Sequence, residues 1–265
     1  MLDAAALSAV LRRDGSLWRS VEVVADIGST NAVLAGRAAE GEAEGAVLVA
    51  EHQAAGRGRL DRSWTSPPRA GITVSLLLRP DVPAARRGWL SMLTGVALAE
   101  SLADLTRTSL KWPNDLLAAD GRKLAGILAE AVTASDRPAP VVVGLGLNVS
   151  TRADELPDTG TSLALLTGEP VDRGPVLLAF LRAFEVRYRR WVSAAGDPVA
   201  SGLARDYLAW CSTVGTTVTV TLPDSSTLDG VAEAVDWDGR LVVRTGEGTI
   251  ELSAGDVRHV RGATP

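Results

Sequence analysis

The sequence predicts an α+β fold followed by a small all-β domain. Over the first 211 residues, apolar strand-like runs alternate with helical patterns, such as the apolar face of residues 172–191. From residue 212 onward the pattern changes to short β-rich runs separated by turn signals, among them Asp238-Gly239. We therefore expect a larger domain at residues 1–211 and a β-barrel of SH3-like size, built from four short strands, at residues 212–265.

Composition limits the functions that the chain can have. It contains 46% hydrophobic and 22% charged residues, as globular proteins do, and its net charge of −5 argues against a dedicated nucleic-acid binder. Cys211 is the single cysteine, and His52 and His259 are the only histidines, so neither a disulfide nor a cysteine- or histidine-rich metal site is expected. The sequence shows neither a secretory signal nor an apolar run of membrane length. We expect a cytoplasmic protein.

The first predicted elements lead to a polar cluster. A short amphipathic helix is predicted within residues 1–15, and Val21–Val24 is typical of a strand. Ser29-Thr30-Asn31 follows and precedes an Ala-rich helical pattern that ends near Ala39. All three residues are good helix caps, but only one can serve as the cap. The others are free to hydrogen-bond a neutral polar ligand group.

A basic stretch with two glycines follows the predicted strand Ala46–Ala50. Its notable residues are Gln53, Gly56, Arg57, Gly58, Arg59, Arg62 and Trp64. Glycine lets the backbone approach a ligand closely, arginine offers a planar fork of donors to phosphate or carboxylate, and an indole can stack on a base. The stretch therefore predicts a loop that closes over an anionic, partly aromatic ligand, with a solvated basic turn as the alternative. Its spacing is not that of a P-loop.

The middle of the chain alternates a helix with strands. Gly71–Leu78 is typical of a strand, and Trp89–Leu105 has the wide apolar face of a core helix. Lys111-Trp112-Pro113-Asn114-Asp115 predicts a turn, because proline does not fit a central strand. A second turn at Asp120-Gly121 precedes a strand that starts at Lys123.

A pair of glycines marks the last predicted strand of the larger domain. Val141–Val149 is typical of a central strand, and it contains Gly144 and Gly146. Residues two apart lie on the same face of a strand, so both glycines clear the same face for a ligand or another backbone. Helices are predicted at residues 172–191 and 203–210.

Taken in order, five motifs of the chain resemble those of the biotin–protein ligases. They are Ser29-Thr30-Asn31, Gln53 with Gly56-Arg57-Gly58-Arg59 and Trp64, Lys111-Trp112-Pro113-Asn114-Asp115, Gly121-Arg122-Lys123-Leu124-Ala125-Gly126-Ile127-Leu128, and Gly144-Leu145-Gly146-Leu147-Asn148-Val149. The resemblance covers nearly the whole chain and implies a mixed, largely antiparallel sheet with helices packed on one face, similar to class II aminoacyl-tRNA synthetases. Only 28 residues precede Ser29, so the resemblance is to the ligase-only class without an N-terminal DNA-binding domain.

The resemblance implies an ATP-dependent reaction in two steps. The biotin carboxylate attacks the α-phosphorus of ATP to give biotinyl-5′-AMP and pyrophosphate, and a lysine of a biotin carboxyl carrier domain then attacks the acyl carbon. In the first step an anion attacks a polyanion, so preorganised cations should supply most of the catalysis. By resemblance, Arg57 and Lys123 are the catalytic residues that hold the biotin carboxylate and the α-phosphate.

The same resemblance assigns the remaining site residues. The biotin site is expected to include Ser29, Thr30, Asn31, Gln53, Gly56, Arg57, Gly58, Arg59, Lys123, Gly126, Gly144 and Gly146. The nucleotide is expected to contact Arg59, Arg62, Trp64, Asn114 and Asn148. Mg²⁺ is expected to accompany ATP, with Asp115 as a candidate ligand of the metal. The barrel carries few candidate catalytic groups, so a structural or carrier-facing role is expected for it.

Two alternatives to this function stay open at the level of sequence. A lipoate–protein ligase also adenylates an acid with the help of a lysine, and a DNA-binding regulator is a possibility of a different class. The expected partner is the carrier domain of a biotin-dependent carboxylase, with neither DNA nor a membrane as a partner. Residues 54–66 are expected to be mobile without ligand and to close over biotinyl-AMP, because their arginines repel one another.

Overall fold

The computed structural model of the chain describes residues 1–59, 62–133 and 138–260. The helices within these ranges are α1 Ala4–Leu11, α2 Thr30–Ala39, α3 Trp89–Ser101, α4 Leu163–Thr167, α5 Arg173–Ser193 and α6 Leu203–Trp210. The strands are β1 Ser20–Ile27, β2 Ala46–Gln53, β3 Gly71–Leu78, β4 Thr108–Lys111, β5 Asp115–Ala118, β6 Lys123–Ala131, β7 Val141–Asn148, β8 Thr217–Thr221, β9 Thr227–Val235, β10 Leu241–Thr245, β11 Gly248–Leu252 and β12 Asp256–His259. None of the described helices combines the length and the apolar character that a membrane crossing requires.

Seven strands form the larger sheet, in the order β1-β2-β3-β7-β6-β5-β4. β1 and β2 run parallel, with Ile27 opposite Gln53, and the other neighbouring strands are antiparallel. The C-terminal ends of a parallel pair lie at the same edge of the sheet. The residues that follow β1 and β2 therefore meet there. The mixed, largely antiparallel sheet expected from the sequence is confirmed.

Helices cover both faces of this sheet. α1, α3 and α5 join the main core on one face, where Phe184 is fully buried. α2 covers the other face, where Leu34 packs in a cluster with Leu48. Val47 and Leu48 belong to different clusters, because successive strand side chains point to opposite faces. The expectation that helices pack on one face alone is therefore wrong for α2.

The turn between β4 and β5 rests on the C-terminal part of the chain. It contains a cis peptide bond between Trp112 and Pro113. The buried Trp112 donates its backbone N–H to Thr213 Oγ1 at 3.0 Å and its indole N–H to the Gly239 carbonyl oxygen at 3.1 Å. The position of the turn, and of the polar residues that follow it, therefore depends on residues beyond the larger sheet.

The C-terminal strands form an antiparallel sheet in the order β11-β10-β9-β8-β12. The all-β character predicted for this region is confirmed, but the prediction of four strands missed β12. That strand has four residues, and Val257 is its one buried apolar side chain, so its sequence shows little alternation. It is nevertheless paired with β8, where Val257 lies opposite Val220.

A turn of the C-terminal sheet packs against the start of α3. Arg86 donates to Asp238 Oδ1 at 2.7 Å, and its guanidinium lies 4.9 Å from the centre of the Trp237 ring. The indole N–H of Trp89 donates to the Trp237 carbonyl oxygen at 3.0 Å. Together with the Trp112 contacts, these bonds fix the C-terminal sheet against the larger one.

Candidate active site

A cleft of about 840 Å³, open to solvent, lies where β1 and β2 end and extends over β3, β6 and β7. Most residues that the sequence nominated for the site line this cleft. They are Ser29, Thr30, Asn31, Gln53, Arg57, Gly58, Arg59, Arg62, Trp64, Asn114, Asp115, Lys123, Gly126, Gly144 and Gly146. The parallel pair β1–β2 explains why motifs more than 20 residues apart meet, because it brings the ends of both strands to one edge.

Two nominated residues do not line the cleft. A Cβ atom on Gly56 would lie 2.3 Å from the Trp64 carbonyl oxygen and 2.7 Å from Gln53 Nε2, so this glycine lets the loop pack against Gln53. Asn148 is buried and donates its amide to the Thr161 carbonyl oxygen at 3.0 Å. Both residues therefore contact residues next to the cleft and do not line it themselves.

The inner end of the cleft is neutral and polar. Ser29 is the N-cap of α2, as the sequence allowed. The backbone N–H of Thr30 donates to Gln53 Oε1 at 2.7 Å, and the Thr30 hydroxyl lies 2.9 Å from the same oxygen. These contacts hold the Gln53 amide so that its Nε2 is the part left to donate to a bound molecule.

Two polar residues behind this end were not anticipated. Ser75 is fully buried on β3, with its hydroxyl oxygen 2.7 Å from Thr30 Oγ1 and 2.5 Å from Asn31 Oδ1. Glu130 on β6 accepts from Asn31 Nδ2 at 2.7 Å and from Arg57 Nη2 at 3.3 Å. Both are polar residues among mainly apolar ones in their strands, and that is the signal that could have identified them.

Two lysine ammonium groups lie beside the carboxylate of Asp115. Lys123 Nζ lies 2.6 Å from Asp115 Oδ1, and Lys111 Nζ lies 3.6 Å from its other oxygen. Arg59 Nη1 donates to Asn114 Oδ1 at 3.5 Å. Burial lowers the pKa of Arg59, and the negative charges of Asp115 and Asp256 oppose that shift. Arginine stays charged regardless, so the cleft holds fixed positive charge, and most of its cations are paired with a carboxylate.

The C-terminal sheet contributes directly to the cleft. Gly255 and Asp256 line it, and Asp256 Oδ2 accepts from Arg62 Nη2 at 2.7 Å. Burial alone would raise the pKa of Asp256, but the Arg62 hydrogen bond and the nearby positive charges, including Lys123, outweigh it and lower the pKa. Asp256 is therefore a carboxylate at neutral pH. The sequence predicts few catalytic groups in this region, and Asp256 is a charged group of the cleft that this prediction does not include.

The indole ring of Trp64 packs against Gly126 on β6 and Gly146 on β7. A Cβ atom on Gly146 would lie 2.2 Å from Cε2 of the indole, and one on Gly126 would lie 3.2 Å from Cζ3. Gly144 clears space in the same way for Asn31, whose Oδ1 would be 2.3 Å from a Cβ there. The sheet surface left without side chains by these glycines is therefore covered by the Trp64 indole and the Asn31 amide in this structure. Lys123 Nζ lies 5.9 Å from the centre of the indole.

The loop that carries Trp64 forms a narrow hairpin at its base. Arg57 pairs with Ser63 in an antiparallel bridge, and the Gly58 N–H donates to the Arg62 carbonyl oxygen at 2.6 Å. Leu60 and Asp61, at the tip, lie outside the described residues. Every arginine of the loop faces a polar or acidic partner, which weakens the mutual repulsion that the sequence suggested.

The acids of the cleft do not form a ready metal site. The described residues contain no group of three or more His, Cys, Asp or Glu side chains arranged to hold a metal ion. Asp115 and Asp256 line the cleft, but each is paired with a cation. Their carboxylate oxygens fit a hard cation such as Mg²⁺ only if a bound molecule supplies further oxygen ligands.

Comparison with known proteins gives matches over most of the chain. Residues 24–148 match the biotin/lipoate A/B protein ligase family, and residues 213–260 match the biotin protein ligase C terminal domain. The chain is 43% identical to the biotin–[acetyl-CoA-carboxylase] ligase of Mycobacterium tuberculosis, over 98% of this chain and 96% of that one. It is 29% identical to the enzyme of the same name from Paracoccus denitrificans, over 86% and 96%.

A solved structure has a similar fold. The biotin protein ligase from Aquifex aeolicus, in complex with biotin and ATP, superimposes with a TM-score of 0.76 and 26% identity, and the match covers 92% of this chain and 100% of that chain. The similarity thus extends over both sheets.

Proposed function

The chain belongs to the biotin–[acetyl-CoA-carboxylase] ligases within the biotin/lipoate A/B protein ligase family, and we propose that its cleft joins biotin to ATP and passes the biotinyl group to a carrier lysine. The observation that carries this proposal is the arrangement of the cleft, with a neutral polar inner end and a rim of cations. Biotin has a neutral ureido ring at one end and a carboxylate at the other, so its two ends match the two ends of the cleft.

The inner end is assigned to the ureido ring. Gln53 Nε2 can donate to the ureido oxygen, because Gln53 Oε1 already accepts from Thr30. Thr30 and Ser29 offer hydroxyl oxygens to the ureido N–H groups. Gly126 and Gly146 leave room for the apolar rings of biotin once Trp64 moves from the surface that it covers here.

The cationic rim is assigned to the reacting groups. When the biotin carboxylate attacks the α-phosphorus, negative charge concentrates between two anions, and fixed cations stabilise that charge without reorganising. Lys123 is assigned to this point because it lines the cleft and its ammonium group is held by Asp115. The reaction forms the O–P bond of biotinyl-AMP and releases pyrophosphate.

Among the loop arginines, Arg59 is placed better than Arg57 to assist Lys123. Arg59 is partly buried and donates to Asn114 Oδ1 at 3.5 Å. Arg57 is half exposed and faces Glu130 at the rim. Arg57 reaches the carboxylate or the α-phosphate only by leaving Glu130, so we assign the charge stabilisation to Arg59 and Lys123 first and keep Arg57 as a further candidate.

The nucleotide is assigned to the side of the cleft nearest the C-terminal sheet. Arg62 lies there beside Asp256 and can turn to a phosphate, and Asn114 and Trp64 offer an amide and an aromatic face to adenine. Mg²⁺ would bind with ATP and neutralise its phosphates, with Asp115 or Asp256 as the carboxylate ligand from the protein. Asn148 is assigned a supporting role, because its amide is engaged with Thr161.

In the second step a carrier lysine attacks the acyl carbon and AMP leaves. The acceptor is assigned as the carrier domain of a biotin-dependent carboxylase, in keeping with the names of the relatives. We also assign residues 1–211 and 212–265 to separate domains, since the described strands fall into two sheets on either side of this boundary. Asp256 lines the cleft, so the second domain contributes a side chain to the site.

The test is to incubate the full chain with biotin, ATP, Mg²⁺ and a carrier domain and to measure biotinyl transfer by mass spectrometry. We expect a mass increase on one carrier lysine that depends on both biotin and ATP. Lipoate in place of biotin is the control for the alternative acid, and we expect little transfer from it. Preferential transfer of lipoate would overturn the proposal.

A further inference from the structure

The indole of Trp64 lies directly on the backbone of two strands. A Cβ atom on Gly146 would lie 2.2 Å from Cε2 and 2.5 Å from Nε1 of the indole, and one on Gly126 would lie 3.2 Å from Cζ3. Since even one methyl carbon at Gly146 would overlap with the ring, no other molecule fits between the ring and the sheet. A bound molecule and the indole therefore exclude each other from this surface.

This surface lies on the path between the two ends of the cleft. The Thr30 hydroxyl lies 2.7 Å from Ser75 Oγ on β3, whereas Lys123 begins β6. In the sheet, β7 lies between β3 and β6. A molecule that contacts both Thr30 and Lys123 must therefore cross β7 on the face that carries the cleft.

The ammonium group of Lys123 and the indole lie side by side next to the sheet. A Cβ atom on Gly126 would lie 3.3 Å from Lys123 Nζ and 3.2 Å from Trp64 Cζ3. A carboxylate that reaches the ammonium group from the inner end of the cleft therefore needs the layer that the ring now fills.

Two side chains cover β7 at this point, and Trp64 is the one that is held less firmly. Asn31 donates to Glu130 Oε2 at 2.7 Å and to the Leu128 carbonyl oxygen at 3.2 Å. The indole N–H of Trp64 donates to no residue in the described part of the chain. Packing holds the ring, together with the Lys123 ammonium group at 5.9 Å from its centre.

The loop does not have to open for the ring to leave. The Trp64 backbone N–H donates to the Gly56 carbonyl oxygen at 2.9 Å, and Arg57 pairs with Ser63 beside it. Rotation about the bonds of the side chain moves the indole while its backbone stays in place. Such rotation is fast for a partly exposed side chain, so the covered and free states of the surface are in equilibrium before a ligand arrives.

We propose that Trp64 is an internal competitor of biotin, which fills the place of the apolar rings of biotin until biotin displaces it. The inference rests on the proposed function, in which biotin extends from Thr30 to Lys123. The affinity for biotin is lowered by the fraction of molecules in which the surface is free. The displaced indole turns toward the nucleotide side, where it offers its face to adenine.

Removal of the indole should therefore act in opposite directions on the two substrates. In Trp64→Ala the surface is always free, so the Kd for biotin without nucleotide should fall about 10-fold, which corresponds to a free fraction of about one in ten in the wild type. The KM for ATP should rise about 10-fold, because adenine loses a stacking partner. A ring that only covers bound biotin from outside would give weaker binding of biotin in the variant.

The experiment measures biotin binding to the full chain by isothermal titration calorimetry without nucleotide, and the KM for ATP by pyrophosphate release. Trp237→Ala is the matched control, because Trp237 is 47% exposed in a turn of the C-terminal sheet, and it should change neither value. The control ligand is 2-imidazolidinone, the ureido ring alone, titrated by NMR. It reaches only the inner end of the cleft, so Trp64→Ala should leave its affinity unchanged.

The inference is overturned if folded Trp64→Ala binds biotin as weakly as the wild type or more weakly, or if Trp237→Ala or 2-imidazolidinone shows the same gain. Tighter binding of biotin with an unchanged KM for ATP supports the competition and refutes the move of the indole toward adenine. A wild type that neither binds biotin nor releases pyrophosphate is a different result, because it refutes the proposed function together with this inference.

Discussion

The carboxylate of Asp256 and the guanidinium of Arg62, 194 positions apart in the chain, lie 2.7 Å from one another at the mouth of the cleft. One belongs to the C-terminal sheet and the other to the arginine loop. The hydrogen bond holds the Arg62 side chain in place. It also neutralises the positive charge of Arg62, which a phosphate would need as its partner. In the proposed function, ATP therefore has to compete with Asp256 for Arg62.

We expect Asp256→Asn to change the KM for ATP by a factor of about 5 or less, because Arg62 is mostly exposed and such pairs are screened by solvent. The measurement is the KM for ATP in wild type, Asp256→Asn, Arg62→Ala and the double variant. If the two residues act as a pair, Asp256→Asn should have little effect once Arg62 is absent. Equal effects in both backgrounds would show that Asp256 acts independently of Arg62.

Lys123 is predicted to be the most sensitive cation. Lys123→Ala should lower the rate of biotinyl-AMP formation by about 100-fold or more, the scale for loss of one preorganised charge donor, while the melting temperature stays close to that of the wild type. Lys111→Ala is the matched control, because Lys111 contacts the other oxygen of Asp115 at a longer distance. Near-normal pyrophosphate release by Lys123→Ala would remove this residue from the proposed chemistry.

The C-terminal sheet is predicted to be necessary for the turn that carries Asn114 and Asp115. Thr213→Val leaves the buried N–H of Trp112 without its acceptor and should lower the free energy of unfolding by about 1–3 kcal/mol. Thr213→Ser keeps the hydroxyl and is the control. Denaturant unfolding measures both. A truncation after Trp210 should abolish activity, and a folded, fully active product would contradict this view of the C-terminal sheet.

Stability is predicted to depend on pH through His259. Burial and the charge of Lys111 lower the pKa of His259 below its ordinary value of about 6.5. The unfolded chain therefore binds a proton at a higher pH than the folded one, so the contribution of neutral His259 is fully present above about pH 6.5 and is lost as pH falls toward the folded pKa.

The test of this prediction is the free energy of unfolding of wild type and His259→Gln between pH 8 and 5. The difference between the two proteins should shift in favour of the variant as pH falls. A constant difference across this range would mean that His259 does not titrate differently in the folded and unfolded states.

The arginine loop is predicted to be protected from proteolysis by its ligands. Biotin and ATP together yield an adenylate that offers negative charge to the arginines and apolar surface to Trp64, so trypsin should cut at Arg57, Arg59 or Arg62 much more slowly in their presence. The cut sites are identified by mass spectrometry. Equal cleavage rates with and without both ligands would show that the loop does not close over them.

Local sequence patterns located the groups that face the cleft, and the resemblance of the motifs assigned them to a site. Ser29 and Thr30 precede a predicted helix, Gln53 follows a predicted strand and Lys123 begins one, and all four line the cleft. Their recognition required only turn and capping chemistry, together with the resemblance of the motifs. The strand ends meet because β1 and β2 are parallel, a pairing that no single strand pattern reveals.

The partners of these groups could not be found in the same way. Ser75, Glu130 and Asp256 are polar residues in strands, and their importance depends on which strand lies beside which. A strand pattern of period two fixes the face of a side chain but not its neighbours. β12 was missed for the related reason that four residues with one buried apolar side chain carry too little periodicity.

The separation of 194 positions between Arg62 and Asp256 also has a consequence for folding during synthesis. A chain emerging from the ribosome folds its N-terminal part first, and the loop, Lys123 and the polar inner end can then come together. The partner of Arg62 is still missing until residue 256 has been translated and β12 has paired with β8. A contact between residues so far apart in the sequence forms more slowly than contacts between neighbouring residues. Nascent chains that stop short of this strand therefore lack the Arg62–Asp256 contact, and Arg62 is then without this acidic partner.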